Sequence, residues 1–483
     1  MTRAPVVDHD APREACGVFG VMARGRPVAH LTFDGLYALQ HRGQESAGMA
    51  VSDGSDMVVV KDMGLVTNVF NDYKLAGLQG HLAIGHTRYS TTGASTWHNA
   101  QPVYRTAGQS TFALGHNGNL TNTEELAEQA GMLPGTVTSD SDLIAELLAR
   151  HLDARPGDGL VDALGAVLPR LQGAFSLVLI DHERLIGVRD PHGFRPLCLG
   201  NLDGAAILAS ESPALDVCGA RFVREVEPGE VVVIDDAGWH SQWPWPAGSV
   251  DPRLCLFEFV YLARHDSRLY GQELYRARTR MGERLAREAP VPADMVMGVP
   301  DSGLPAAEGY ARASGIDYGQ GLVKNRYIGR TFIAPDQAQR DAGVRRKLNP
   351  LRDNIAGKAL VVVDDSIVRG TTTRAMVGVL RDAGARQVHL RISSPPYRWP
   401  CHYGLDTGSR DELVAARLEV EEIRDYVGAD SLAYLSLEAL EEATGAAGAG
   451  FCNACLTGDY PVPVPVAVPV AVSLGAADGR RGG

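Results

Sequence analysis

Leu360-Val-Val-Val-Asp-Asp-Ser-Ile-Val-Arg-Gly-Thr-Thr-Thr373 is the stretch on which the fold turns. Its four leading apolar residues read as a parallel strand buried on both faces, where polar alternation is absent. Asp364 and Asp365 close the strand, a glycine and three threonines follow, and Arg374–Leu380 reads as a helix. In an open α/β sheet, ligands bind at this carboxyl edge. Loop amides, threonine hydroxyls and a helix N-terminus favour a phosphate. Two adjacent carboxylates suit sugar hydroxyls or magnesium, which prefers oxygen ligands. Left as plain core acids they would be costly. No Gly-Lys-Ser/Thr follows, so this is not a Walker loop.

The pattern recurs upstream. Met295–Pro300 reads as a second parallel strand, Asp301-Ser-Gly303 as a small loop, and Leu304–Arg312 as a helix. The 360–373 string resembles the signature of the type I phosphoribosyltransferases, which bind phosphoribosyl pyrophosphate (PRPP). The resemblance implies that Asp364 and Asp365 hold the ribose hydroxyls and Mg²⁺, with Ser302 joining them around the metal. It implies that Gly370, Thr371, Thr372 and Thr373 cradle the 5-phosphate. Basic residues Lys324, Arg326, Arg330, Arg340, Arg345, Arg346 and Lys347 flank a weakly periodic polar stretch. In an acidic chain this cluster reads as a lid that closes over a polyanion and excludes water. Lys324 and Arg326 are expected on PRPP.

The chain has 483 residues, 45% hydrophobic and 22% charged, which suits a soluble protein of two or more domains. Its net charge of −12 gives no reason to expect nucleic acid as a partner. No apolar run approaches the ~18 residues of a membrane span. Met1–Ala15 lacks an apolar h-region, so it does not read as a secretory signal. Seven cysteines in so long a chain do not suggest a disulfide framework. A cytoplasmic location with reduced thiols is expected.

The first half carries five short fragments in order: Cys16-Gly-Val-Phe-Gly-Val21, Leu39-Gln-His-Arg-Gly-Gln-Glu-Ser-Ala-Gly48, Leu82-Ala-Ile-Gly-His-Thr-Arg-Tyr-Ser-Thr-Thr-Gly93, Phe112-Ala-Leu-Gly-His-Asn-Gly-Asn-Leu120 and Thr138-Ser-Asp-Ser-Asp142. Singly each has a plain reading: a buried thiol, a strand ending at an Asn-Gly turn, a helix cap. The ordered set resembles the class II glutamine amidotransferases, which are N-terminal nucleophile (Ntn) hydrolases. The implied fold is an αββα sandwich, followed by a doubly wound parallel sheet of the phosphoribosyltransferase type.

A thiol that attacks an amide at neutral pH needs a base, and this half shows no obvious paired histidine. A free α-amine has a pKa of about 7.7–8.0 and is suited to the task, whereas an in-chain amide nitrogen is not basic. Residues 1–15 are therefore expected to be removed as a propeptide, leaving Cys16 as the nucleophile. By resemblance, Asn117 and the Gly118 amide form the oxyanion hole. Arg42, Arg88, Thr91 and Asp140 hold the glutamine. His192 in Asp190–Pro196 reads as structural. Trp239, Trp243 and Trp245 sit near a linker at 239–253, so the expected domains are 16–245 and 246–460. A low-complexity tail at 461–483 is expected to be extended or disordered.

Both halves together resemble the glutamine-dependent PRPP amidotransferases. The resemblance implies ammonia transfer to C1 of PRPP, giving phosphoribosylamine at the start of purine synthesis. It also implies purine nucleotides as inhibitors and a homotetramer. Cys452 and Cys455 form a C-x-x-C, which alone could be a redox pair, half a metal site or neither. With Cys255 and Cys401 the positions match the iron–sulfur members of that family. Four thiolates suit a [4Fe–4S] cluster or zinc, and the resemblance favours the cluster. Cys198 and Cys218 read as buried apolar thiols. Two rival readings are a glutaminase serving another acceptor and a non-catalytic PRPP-sensing regulator. The 360–373 strand argues against the first, and the complete glutaminase set with the acidic charge against the second.

Overall fold

The computed structural model describes residues 15–89, 95–133, 137–325, 348–405, 407, 409–446 and 448–464. The first domain has thirteen strands: β1 Gly17–Met22, β2 Ser46–Ser52, β3 Met57–Met63, β4 Leu82–Arg88, β5 Val103–Ala107, β6 Ser110–Leu120, β7 Gly173–Ile180, β8 Leu185–Arg189, β9 Cys198–Leu202, β10 Ala205–Ala209, β11 Arg221–Glu225, β12 Val231–Asp235 and β13 Gly238–Gln242. They form two sheets, ordered β11-β9-β10-β1-β4-β2-β3 and β13-β12-β8-β7-β6-β5.

Successive residues of a strand point to opposite faces. Val18 and Met22 of β1 therefore meet Ala113, Val178 and Ile180 between the sheets. Phe19 and Val21 turn outward to the helix Val28–Ala38. That helix lies close because Gly35 carries no Cβ; one would sit 2.3 Å from the Phe19 ring. Helices Asp140–Ala154 and Leu160–Val167 cover the outer face of the other sheet. The result is the expected four-layer αββα sandwich.

The second domain is built on a parallel sheet ordered Met295–Gly298, Ala359–Asp364, Gln387–Ile392, Ser431–Tyr434. Val361 and Val363 pack on one side with Met281, Leu285 and Tyr310. Leu360 and Val362 pack on the other with Met376, Leu380 and Ile423. Both faces are covered, which explains the unbroken apolar run at 360–363. Helices Val420–Val427 and Leu437–Thr444 flank the last strand.

Two local expectations are corrected. The Asn117-Gly118 pair is not a turn: β6 runs through it, with Asn117 opposite Ser176 and Gly118 opposite Phe175. Tertiary pairing overrides the turn signal. Glu258–Leu262 is a π-helical turn, and it delivers the Glu258 carboxylate, 0% exposed, to two arginines of the first domain. The 461–483 tail does not begin as loose chain, since Val462 is buried and both its backbone N–H and C=O bond the Tyr403 hydroxyl, at 3.0 and 2.6 Å.

Candidate active site

Two pockets hold the chemistry. The first lies where β1 begins and β4 ends, paired antiparallel with Gly17 opposite Thr87. Cys16, Arg88, Tyr89, Gln101, His116, Gly118, Ser139, Asp140 and Ser141 line it. Cys16 is 7% exposed, and its thiol donates to the Tyr89 carbonyl at 3.3 Å. Burial pushes that thiol up to about 11, against smaller lowering from the Tyr89 hydrogen bond and Arg88. Asp140 opens the helix capped by Ser139. Its carboxylate accepts from the Ser141 amide at 2.8 Å and the Leu120 amide at 3.3 Å.

The Asn117 carboxamide is 0% exposed, and neither its oxygen nor its nitrogen has a hydrogen-bond partner among the described residues. A buried amide left unpaired costs about 1–3 kcal/mol unless a ligand completes it. Its neighbour Gly118 has φ +150°, and a Cβ there would lie 2.0 Å from the Ala174 carbonyl oxygen. Only glycine keeps this edge of the pocket open.

The second pocket is a cleft of ≈ 600 Å³ at the carboxyl edge of the parallel sheet. Asp364, Asp365, Thr372, Thr373, Ser302, Asp301 and Lys324 line it, and so does His41 from the first domain. Asp365 is 5% exposed and receives the Ser366 hydroxyl at 2.6 Å. Burial pushes its carboxyl up, while hydrogen bonds from Ser302 and Ser366 and the nearby Arg278 pull it down. Gly370, left-handed at φ +80°, turns the chain into the helix Thr371–Asp382. Lys324 pairs with Asp301 at 2.8 Å. Arg278 and His265 also line the cleft, and burial lowers the Arg278 guanidinium to about 10. Burial, and then Arg278, lower His265 to about 4.

The geometry thus offers a buried thiol in a pocket edged by Gly118, next in the chain to the buried Asn117 carboxamide, and a separate acid-and-hydroxyl cleft suited to a sugar phosphate. Comparisons agree. A family model for a glutamine amidotransferase domain matches residues 86–217. The amidophosphoribosyltransferase of Mycobacterium bovis is 52% identical over 473 residues, covering 95% of this chain and 89% of that one.

The chain belongs to the amidophosphoribosyltransferase family.

A second amidophosphoribosyltransferase, from Synechococcus elongatus, is 52% identical and covers 94% of this chain and 93% of its own. A solved structure described as the allosteric regulatory enzyme of purine biosynthesis matches with TM-score 0.86 and 43% identity, covering 93% of this chain and 97% of its own. The PRPP amidotransferase of B. subtilis, solved with ADP and GMP, matches with TM-score 0.85 and 43% identity, covering 93% and 98%.

Against these amidophosphoribosyltransferase folds, the expected site residues divide. Cys16, Arg88, Gly118 and Asp140 share one pocket, with Asn117 on the same strand. Thr91 and Arg326, with most of the expected lid, lie outside the described residues. Arg42 is a correction. Its guanidinium is 1% exposed and lies outside the Cys16 pocket, donating to Glu211 and, at 2.6 Å, to Glu258. It joins the two domains instead of holding an amino acid. Burial alone would raise Glu211, but Arg42 and His41 hold its carboxyl well below the usual range. Arg195 reaches the same Glu258 at 3.3 Å.

His116, Gln101 and Ser141 also line the first pocket. The His-Asn-Gly-Asn string contains His116, but its pocket position depends on the β6–β7 pairing. His116 Nδ1 bonds Ser141 Oγ at 3.1 Å and Nε2 bonds the Ala174 carbonyl at 3.4 Å, so neither nitrogen serves the Cys16 thiol.

Proposed function

We propose that the chain hydrolyses glutamine at Cys16 and transfers the released ammonia to C1 of PRPP, giving 5-phosphoribosylamine and pyrophosphate. This is the first committed step of purine nucleotide synthesis. The observation that carries the reading is the coexistence of the Cys16–Asp140 pocket and the Asp364–Asp365 cleft in one chain with interlocked domains.

Removal of residues 1–15 supplies the α-amine that takes the thiol proton. The thiolate sulfur attacks the side-chain amide carbon. Asn117 and the Gly118 amide donate to the oxyanion. The proton passes to the leaving nitrogen, ammonia departs, and water cleaves the thioester to glutamate. Arg88 pairs the substrate α-carboxylate and Asp140 its α-ammonium, with Thr91 as a further contact. In the cleft, the ammonia nitrogen bonds C1 as the C1–oxygen bond to pyrophosphate breaks. Thr371, Thr372 and Thr373, with Gly370, hold the 5-phosphate; Lys324 and Arg326 bind the anionic substrate.

The residues fit Mg²⁺. Asp365 is a buried carboxylate whose charge a cation would favour, and Mg²⁺ typically takes one or two carboxylates plus substrate phosphates. Asp364, Asp365 and Ser302 would hold it, and it would neutralise charge on the departing pyrophosphate. The four-cysteine site fits a cluster. Cys255 and Cys452 are paired neighbours in a short parallel ladder. Burial, and then Cys255, Cys401 and Cys452, push the Cys455 thiol well up. A structural [4Fe–4S] cluster is the group proposed there.

Feedback by purine nucleotides, homotetrameric assembly and a cytoplasmic location belong to the same reading. Among the described residues no helix is long and apolar enough to cross a membrane. The test is pyrophosphate release from PRPP with glutamine or ammonia, in processed wild type and Cys16→Ala prepared without oxygen. Wild type should use both donors and the variant ammonia alone. Release with neither donor would overturn the transferase reading in favour of the sensor.

A further inference from the structure

Among the described residues the Asn117 carboxamide has no hydrogen bond to fix its aim. Its position is therefore set by the backbone of β6, and whatever holds that backbone sets the oxyanion geometry. One side is held by β7, through the pairing of Gly118 with Phe175 and the close Ala174 carbonyl. The other side is held by the second domain.

We propose that the turn His402-Tyr403-Gly404 positions the oxyanion strand, and that Gly404 seats it. This rests on the reading of Asn117 and Gly118 given above. Three consecutive residues of the turn each grip the first domain. The His402 carbonyl accepts from the Asn119 carboxamide at 3.0 Å. The Tyr403 carbonyl accepts twice from Arg195, at 3.1 and 2.8 Å, and the Tyr403 ring stacks on Phe194 with centroids 4.5 Å apart. Gly404 abuts Gly118 itself: a Cβ on Gly404 would lie 3.0 Å from the Gly118 carbonyl carbon, 3.1 Å from its Cα and 3.2 Å from its oxygen. Gly404 also has φ +103°, which a side chain would strain. Gly118 thus sits between the Ala174 carbonyl and Gly404, with no slack on either side.

The turn itself is anchored. Arg195 is 0% exposed and holds Glu258 as well as Tyr403, and the Tyr403 hydroxyl bonds Val462. A rigid support behind a pair of donors is what a preformed oxyanion hole requires, because donors that must reorganise contribute less to the transition state. Gly404, Asn119 and Arg195 are positioning residues. None of them lines the Cys16 pocket.

The test uses the processed full-length enzyme and two variants. Gly404→Ala adds the methyl that presses on Gly118. Asn119→Ala removes the bond to His402 without adding an atom, and so guards against a Gly404→Ala protein that fails to fold. Each is assayed with glutamine and with ammonia, and Cys16 alkylation by iodoacetamide is timed. The expected result is a fall in glutamine-dependent kcat of ~10–100-fold for Gly404→Ala and a smaller fall for Asn119→Ala. The KM for glutamine, the alkylation rate and ammonia-dependent turnover should each stay within about twofold, because binding, thiol and transferase cleft are untouched.

Equal losses with both donors would overturn the proposal, leaving the turn a packing contact only. Unchanged glutamine turnover in both variants would overturn it too. If wild type itself used ammonia but not glutamine, the underlying reading of the first pocket would fall, and the positioning role with it.

Discussion

The state of the Cys16 nitrogen should control glutamine use and nothing else. In the chain as described, Ala15 precedes Cys16, is 1% exposed, and makes that nitrogen an amide. Burial lifts the thiol to about 11. At pH 7.5 a thiol of that acidity is ionised in only ~3 parts in 10⁴, and the thiolate is the nucleophile. A terminal amine of pKa about 7.7–8.0 is about a quarter to two-fifths neutral at the same pH and sits on the same residue. The comparison is between a chain that starts at Cys16 and one that starts at Ala15, each verified by mass. They differ by one residue, so folding is not at issue. The Ala15 form should lose ~10³-fold in glutamine-dependent turnover and keep its ammonia-dependent turnover within about twofold. Its residual glutaminase rate should rise about tenfold per pH unit toward 11, whereas the Cys16 form should level off above pH ~8. A glutamine rate for the Ala15 form within tenfold of the Cys16 form would refute the role assigned to the amine.

Asn117→Ala should lower glutamine-dependent kcat by ~10²–10³-fold, as loss of one oxyanion donor does elsewhere, with ammonia turnover unchanged in the same pyrophosphate assay. Asp365→Asn should abolish turnover with both donors, and titration calorimetry should show weakened PRPP binding in the presence of Mg²⁺. Arg42→Ala leaves Glu211 and Glu258 facing each other without their shared cation. A loss of about 3–5 kcal/mol is expected for the domain interface, visible as a lower urea midpoint with the glutamine KM unchanged in protein that remains folded. Acid should destabilise in two windows. His86, held neutral by burial with its pKa lowered to about 3, opposes folding once unfolded histidine protonates. Its share therefore declines below pH ~6.5 by about 1.4 kcal/mol per unit, down to about 3. Glu211, whose folded carboxyl is held low, contributes in full above the unfolded glutamate value of about 4.3 and loses that contribution progressively as pH falls below it. A urea series from pH 7 to 4 that shows flat stability would contradict the histidine assignment.

What could be read from the chain follows the range of the forces involved. The 360–373 stretch announces itself because a doubly covered strand must be apolar throughout and the two acids that line the cleft follow at once. That Cys16 and Asp140 stand out in the sequence has a similar reason: each stands at the end of an element whose local pattern is strong, β1 and the Asp140–Ala154 helix, and the fold brings both to one pocket. Arg42 was not legible. Its setting is decided by Glu211 and Glu258, at sequence separations of 169 and 216 residues, and nothing in Gln40-His41-Arg42-Gly43 records where those carboxylates arrive. Asn117-Gly118 misled for the complementary reason. Its local signal is a turn, but eight consecutive pairings with β7 hold the strand straight. Gly404 shows the limit most plainly. In sequence it is an ordinary glycine three residues after a cysteine. Its constraint comes from the backbone of another glycine, Gly118, in the other domain. A site built where two domains meet is therefore legible on the side of each domain's own motifs. It is silent on the contacts that hold the two sides in register.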